Sequence, residues 1–440
     1  ATPNPPATSA LSVPSVPSAT DSQTARFYDI LKRYWGYDSF RSIQLDIIRS
    51  IAGGNDTLGL MPTGGGKSIT FQVPALAMEG LCLVVTPLIA LMKDQVDSLN
   101  RRGIKAAAIY SGQSREEIGR HLDNAVFGAY KFLYVSPERL ATPLFMNKVR
   151  RMKVCLLTVD EAHCISQWGY DFRPHYLRIA ELRPLLPGVP VLALTATATA
   201  TVVDDICQRL GFTDGKVFRM SFERTNLRYV VRHTNDKNAE ILHILRAVPG
   251  SAIIYTSSRN KTTDLAAELR QEGITALNYH AGLTSLDKDL RQQAWVKGSV
   301  RVMVATNAFG MGIDKPDVRL VIHADVPESP EAYYQEAGRA GRDGHTAYAV
   351  LLCSRGDVRL LHSRLTQAFP DRTYIRKVYE DLSSFYQIAE GEAEGRTFDL
   401  PLERFCRVFH HYPVLLVNAL QLLSRAGYIH FSIEDERRTL

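Results

Sequence analysis

Short apolar runs recur along this chain with helical stretches between them, and that alternation restricts the fold more than any other property of the sequence. From Ala25 to Phe222 the runs are DTLGLM, LCLVVT, AAAIY, KFLYVS, VCLLTVD and PVLALTA. A second series follows, LRYVV, SAIIYT, ITALNY, VRVMVAT, VRLVIHA and TAYAVLL, with helical patterns over 260–272 and 284–297 between them. Near-continuous apolar runs belong to strands buried on both faces, so each series predicts a parallel sheet covered by helices. The expected fold class is α/β with two parallel-sheet lobes. At 440 residues and 45% hydrophobic composition the chain has room for both, since single cores stop growing near roughly 250 residues.

The expected organisation has four parts. Residues 1–23 form a Pro-, Ser- and Thr-rich tail that buries too little surface to offset its ordering entropy. The first lobe spans 24–222 and the second 223–354, with the linker near Met220 to Arg228. Residues 355–440 are a helical segment in which LPLERFCRVF and VLLVNALQLLSRAG, then a glycine and YIHFSI, suggest two amphipathic helices and a strand. That order is a partial winged helix-turn-helix, cut short at Leu440.

The net charge of +6 favours a polyanion without requiring one. The six cysteines lie far apart with no C-x-x-C pair, which suggests buried thiols in a reducing compartment rather than a disulfide framework. No apolar run approaches the roughly 20 residues that span a bilayer, and residues 1–20 lack the features of a signal peptide. The expected location is intracellular and cytoplasmic, with no membrane partner.

Three motifs carry chemistry. MPTGGGKS, 61–68, lies between a strand and a helical stretch, where glycines let backbone amides turn around an anion at a helix N-terminus. This nominates Thr63, Gly64, Gly65, Gly66, Lys67 and Ser68 for phosphate binding, with Lys67 on the β/γ-phosphates and Ser68 on Mg²⁺. Met61 stands where the strict pattern has its first glycine, and the loop alone is also compatible with a glycine-rich turn beside a chance lysine. In VCLLTVDEAH, Asp160 ends a hydrophobic strand and would hold Mg²⁺, while Glu161 would orient or deprotonate the attacking water. His163 sits one turn on, placed to sense the γ-phosphate or to meet the neighbouring lobe. In YQEAGRAGRDG, 334–344, Arg342 is the candidate arginine finger. Arg339 either binds the γ-phosphate or fixes the lobe interface.

With these motifs in place the chain resembles superfamily 2 helicases, and specifically the RecQ family of 3′-to-5′ DNA helicases, from about Phe27 to Leu352. The resemblance implies two RecA-like lobes, ATP and Mg²⁺ as cofactors, and single-stranded and forked DNA as partners. It also makes a single-stranded-DNA-binding protein a candidate partner and implies a role in DNA repair and recombination.

Two segments carry the resemblance most specifically. WGYDSFRSIQ, 35–44, is similar to the family's adenine-recognition segment. It implies that Tyr37 stacks on the base, Gln44 hydrogen-bonds its edge and Arg41 assists. Independently, the Gln44 amide offers the donor and acceptor that adenine's edge needs. HCISQWGYDFRPHY, 163–176, looks like the aromatic-rich loop that couples DNA contact to hydrolysis. An aromatic cluster is more often core, but Gly169, Asp171 and Pro174 favour an exposed loop. Trp168, Tyr170 and Phe172, interleaved with Arg173, can stack bases at roughly 1–3 kcal/mol each.

Other matches imply DNA-backbone contacts from Thr86 and Ser136 in the first lobe and Ser257, Arg259, His280, Gly282 and Asn307 in the second. Thr195 and Thr197 would link hydrolysis to lobe movement, and Asp314 and Gln335 would lie near ATP. The same motor also suits a translocase that does not unwind, or an RNA helicase. A departure lies after Arg355, where many RecQ proteins carry a four-cysteine zinc subdomain. Here Cys406 and His410 share a helix face at i, i+4, yet two ligands do not make a tetrahedral site, and no zinc is expected.

Overall fold

The computed structural model describes residues 21–62, 64–168, 171–196, 198–310, 315–389 and 395–432. It divides into two compact units. One runs to Arg232 and from Asp236 to Leu352; the other holds His233–Asn235 and the chain from Cys353.

In the first unit the described strands form two sheets. The first contains β1 Thr57–Leu60, β2 Leu81–Val85, β3 Ala106–Ile109, β4 Phe132–Val135, β5 Val154–Val159, β6 Val191–Thr195 and β7 Lys216–Arg219. Their order is β3-β4-β2-β5-β6-β1-β7, with every neighbouring pair parallel. The second contains β8 Leu227–His233, β9 Ser251–Tyr255, β10 Ala276–Tyr279, β11 Val302–Ala305, β12 Val318–His323 and β13 Ala347–Cys353, in the order β10-β11-β9-β12-β13-β8.

Each apolar run of the two series becomes a strand. β7 was not foreseen, because KVFR alternates half-buried and exposed positions at a sheet edge and carries no apolar run.

Two-sided burial explains the runs. On β4, Phe132 and Tyr134 join a cluster with Phe71 and Met92, whereas Leu133 and Val135 point into the opposite cluster with Ile118 and Phe145. Each such side chain contributes about 1.5–3 kcal/mol of burial. Parallel pairing brings the C-terminal ends of the strands to one edge, where open α/β sheets bind ligands.

The second sheet is anchored by Trp295, on the helix Ser285–Val296. Its ring is fully buried edge-on to Phe309, and its Nε1 donates to the Ala252 carbonyl at 3.2 Å. Trp295→Ala should destabilise this lobe by about 3–5 kcal/mol, measured as a lower denaturant midpoint for that transition.

The N-terminal helix Asp21–Trp35 begins inside the stretch expected to be unstructured. Phe27 and Leu31 explain this, since both bury against Ile48 and Val73. Residues 1–20 lie outside the described residues.

The second unit has the helices Arg355–Ala368, Arg372–Tyr386, Leu402–Phe409 and Pro413–Arg425. Val378, Phe405, Leu416, Ala419, Leu420 and Leu423 form its core. Two expectations are corrected here. Residues 428–432 form no strand, and an isolated strand has no ladder to stabilise it. Cys406 and His410 do not share a helix face, because the helix ends at Phe409 and His410 turns into the left-handed region with φ 58°. His411, the next residue, instead pairs with Asp381 at 2.8 Å. Among the described residues no helix is long and apolar enough to cross a membrane.

Candidate functional site

The glycine-rich loop leaves β1 and enters the helix Lys67–Ala77. Gly64 and Gly66 take φ of 81° and 77°, a region in which a Cβ is strained. A Cβ at Gly65 would sit 3.0 Å from the Pro62 carbonyl, and one at Gly66 would run into the Gln44 amide. Met61, the departure from the strict pattern, extends the strand: its N–H donates to Thr195 O at 3.0 Å and its side chain is buried. Thr63 lies outside the described residues.

The Gln44 side chain braces this loop. Its Nε2 donates to the carbonyls of Gly65 and Gly66 at 3.3 and 3.1 Å, and its Oε1 accepts the Arg41 N–H at 2.8 Å. In this conformation the amide that was matched to an adenine edge is engaged with the loop. Tyr37 is 51% exposed, with the Arg41 guanidinium 5.9 Å from its ring centre.

Across the sheet, β5 delivers the two carboxylates. Glu161 adopts φ 49°, an unusual backbone for a non-glycine residue and of the kind that gathers at functional sites. Its Oε1 faces Lys67 Nζ at 3.5 Å. Burial works against its charge, but Lys67, then His163 and Arg339, prevail and hold it below the ordinary glutamate value. Burial first, and the Glu161 carboxylate next, push Asp160 up to about 6. Thr86 Oγ1 donates to Asp160 Oδ2 at 3.4 Å, and Tyr176 donates to the Asp160 carbonyl at 2.9 Å.

His163 is buried, which holds its pKa below the usual histidine value. Its Nδ1 bonds Thr195 Oγ1 at 2.9 Å and lies 3.4 Å from Glu161 Oε2. Glu161 is thus joined to the end of β6 through one imidazole.

Apart from these ion-pair contacts, Lys67 Nζ and Glu161 Oε2 are buried with no hydrogen-bond partner among the described residues. A buried cation and carboxylate beside a glycine cradle fit a phosphate with a divalent ion, which would satisfy both. Ser68 is half-buried on the first turn of the helix, and its hydroxyl and the Asp160 carboxylate are the groups that could hold such an ion.

The second sheet's lobe supplies the arginines. Arg342 packs on the phosphate loop, since a Cβ at Gly64 would lie 3.3 Å from Arg342 Cγ. Arg339 is buried and donates from Nη1 to the Gly310 carbonyl. Gln335 is buried on the helix Pro330–Ala337. Asp314 lies outside the described residues, as do Gly169, Tyr170 and Thr197.

Of the positions nominated for DNA, Arg259, His280 and Gly282 come together: a Cβ at Gly282 would be 3.0 Å from Arg259 Nη1 and 3.3 Å from His280 Nδ1. Asn307 is exposed nearby in sequence to β11. Trp168 is 74% exposed, whereas Phe172 is half-buried. Arg173 is clasped by Asp171 at 3.1 and 2.9 Å. Thr86 and Ser136 are buried at the strand ends.

Ser257 donates from N and Oγ to Asp325 at 2.8 and 2.7 Å, beside Lys261 at 2.8 Å. Sequence reasoning missed Asp325 and Tyr176. A signal for the former existed, because Asp325 ends the run VRLVIHAD much as Asp160 ends VCLLTVD.

Two parallel-sheet lobes that join a phosphate loop, paired carboxylates and arginines from the opposite lobe define the superfamily 2 helicase architecture. Residues 41–206 match the DEAD/DEAH box helicase family, and residues 236–344 match the helicase conserved C-terminal domain. The ATP-dependent DNA helicase RecQ of Haemophilus influenzae is 43% identical over 339 residues, covering 77% of this chain and 55% of that protein. The probable ATP-dependent DNA helicase RecS of Bacillus subtilis is 40% identical over 338 residues, covering 75% of this chain and 67% of that protein. The Mycobacterium smegmatis helicase Lhr, solved with ssDNA and AMP-PNP, shares the fold with a TM-score of 0.61 at 21% identity, over 77% of this chain and 50% of that one. The chain belongs to the RecQ family. It spans about half the length of the first curated relatives it matches.

Proposed function

We propose that this chain is the motor of an ATP-dependent DNA helicase that moves 3′ to 5′ on single-stranded DNA and couples hydrolysis to strand separation in repair and recombination. The observation that carries the reading is the packing of Arg342 against Gly64, where the site also holds Lys67 facing Glu161 at 3.5 Å. An active site completed by both lobes links phosphate chemistry to lobe position.

In this reading the backbone amides of Gly64 to Ser68 and the Lys67 ammonium bind the phosphates. Ser68 and Asp160 would hold a Mg²⁺ ion, which when bound would supply charge neutralisation at the phosphates. Glu161, kept ionised, accepts a proton from the attacking water or orients it. Arg342 stabilises charge in the transition state, and Arg339 holds the Gly310 turn against the site. Tyr37 and Arg41 bracket the base, and the Gln44 amide turns from the loop carbonyls to its edge. His163 and Thr195 then transmit the state of Glu161 to β6.

Single-stranded DNA is gripped by Trp168 and Phe172 and by the Arg259, His280 and Gly282 cluster, with Ser136, Ser257 and Asn307 adding backbone contacts. A single-stranded-DNA-binding protein and forked DNA belong to the same proposal. The relatives' names, which specify DNA, support DNA over RNA.

The test is ATP turnover with single-stranded DNA or RNA of equal length. DNA should stimulate hydrolysis and RNA should not, and DNA affinity should fall with salt at a log–log slope near −0.7 per neutralised phosphate. Equal stimulation by RNA would move the chain to the RNA-helicase alternative.

A further inference from the structure

Three elements with different tasks meet at one buried polar contact in the first lobe. The helix Lys67–Ala77 begins at the phosphate loop and carries Gln72, which is 4% exposed. The helix Ile89–Arg101, just after Thr86, carries Gln95. β4, just before Ser136, carries Tyr134, which is 2% exposed. Gln72 Nε2 donates to Gln95 Oε1 at 3.0 Å and lies 3.4 Å from the Tyr134 hydroxyl. Around them are Phe71, Met92 and Phe132, members of the same apolar cluster as Tyr134.

An amide in an apolar core is costly unless its hydrogen bonds are made. A residue present only to fill this core would serve better as a leucine or methionine. The contact also resists relative sliding, because a shift of either helix that lengthened the 3.0 Å bond would take its partner from the buried Gln72 amide. The two linked helices start at the nucleotide loop and at a strand end assigned to DNA.

We propose that Gln72, through Gln95 and Tyr134, is a positioning residue that transmits the state of the phosphate loop to the DNA-contacting strand ends of the first lobe. The inference rests on the functional reading above.

The experiment is a double-mutant cycle with Gln72→Met and Gln95→Met, which keep side-chain length and flexibility while removing the hydrogen bond. ATP turnover is measured without DNA and across a titration of single-stranded DNA, with DNA affinity measured separately. The expected result is DNA-free turnover within about twofold of wild type and DNA affinity within about threefold. DNA-stimulated turnover should fall by about fivefold or more, and the double variant should lose no more than either single one.

Unchanged stimulation in both single variants, or equal losses with and without DNA, would overturn the proposal. So would losses that multiply in the double variant. If Gln72→Met does not fold, Gln95→Met, at a half-buried position, decides the question by the same criteria. A wild-type chain indifferent to single-stranded DNA would instead overturn the functional reading on which the relay depends.

Discussion

Arg342→Ala is expected to lower DNA-stimulated ATP turnover by about 10³ to 10⁵ while leaving nucleotide affinity within a few-fold, because an arginine finger acts on charge that develops only in the transition state. The position of its stem against Gly64 supports this assignment. Arg339 is differently placed, buried and bonded to the Gly310 carbonyl, with its charge felt at Glu161. Arg342→Lys keeps the charge but loses the planar fork and should recover little. Rapid-quench rates and binding of a fluorescent nucleotide analogue would separate the two parameters. A variant that lost affinity and kept its rate would make Arg342 a ground-state binding residue.

Trp168→Ala is expected to remove DNA stimulation while DNA binding weakens by no more than one stacked base, about 1–3 kcal/mol. The ring is 74% exposed, too open to be core, and follows Asp160 and Glu161 by a short turn. The intervening residues Ala162–Ile165 are buried, so under the proposed mechanism a displaced indole would pull on the segment that carries Glu161. Arg173 adds a fixed point, since Asp171 holds its guanidinium at 2.9 Å.

Much of the architecture was legible because parallel strands are buried on both faces and declare themselves as apolar runs. VCLLTVD and VRLVIHA read as strands for that reason alone. β7 did not, because an edge strand of alternating exposure resembles a loop. The helix start at Asp21 was hidden by the polar composition around it, although Phe27 and Leu31 mark its buried face. In YIHFSI, β-propensity suggested a strand, whereas residues 428–432 pair with no strand among the described residues.

In the site, residue types indicated chemistry but not partners. Lys67, Asp160 and Glu161 could be named from MPTGGGKS and VDEAH, whereas the engagement of Gln44 with the loop carbonyls depends on a turn twenty residues away. Asp325 and Tyr176 act through contacts across the fold that local spacing does not encode. Gln72 belongs to none of the sequence motifs, and only its burial against Gln95 and Tyr134 sets it apart.

The most direct test of a motor that joins a DNA-contacting loop to a two-lobed phosphate site is the rate of ATP hydrolysis by Trp168→Ala at saturating single-stranded DNA, set beside wild type. The account predicts a wild-type rate that rises with DNA and a variant rate that stays at the DNA-free level although DNA is bound. A variant that hydrolyses ATP as fast as wild type in the presence of DNA would contradict it.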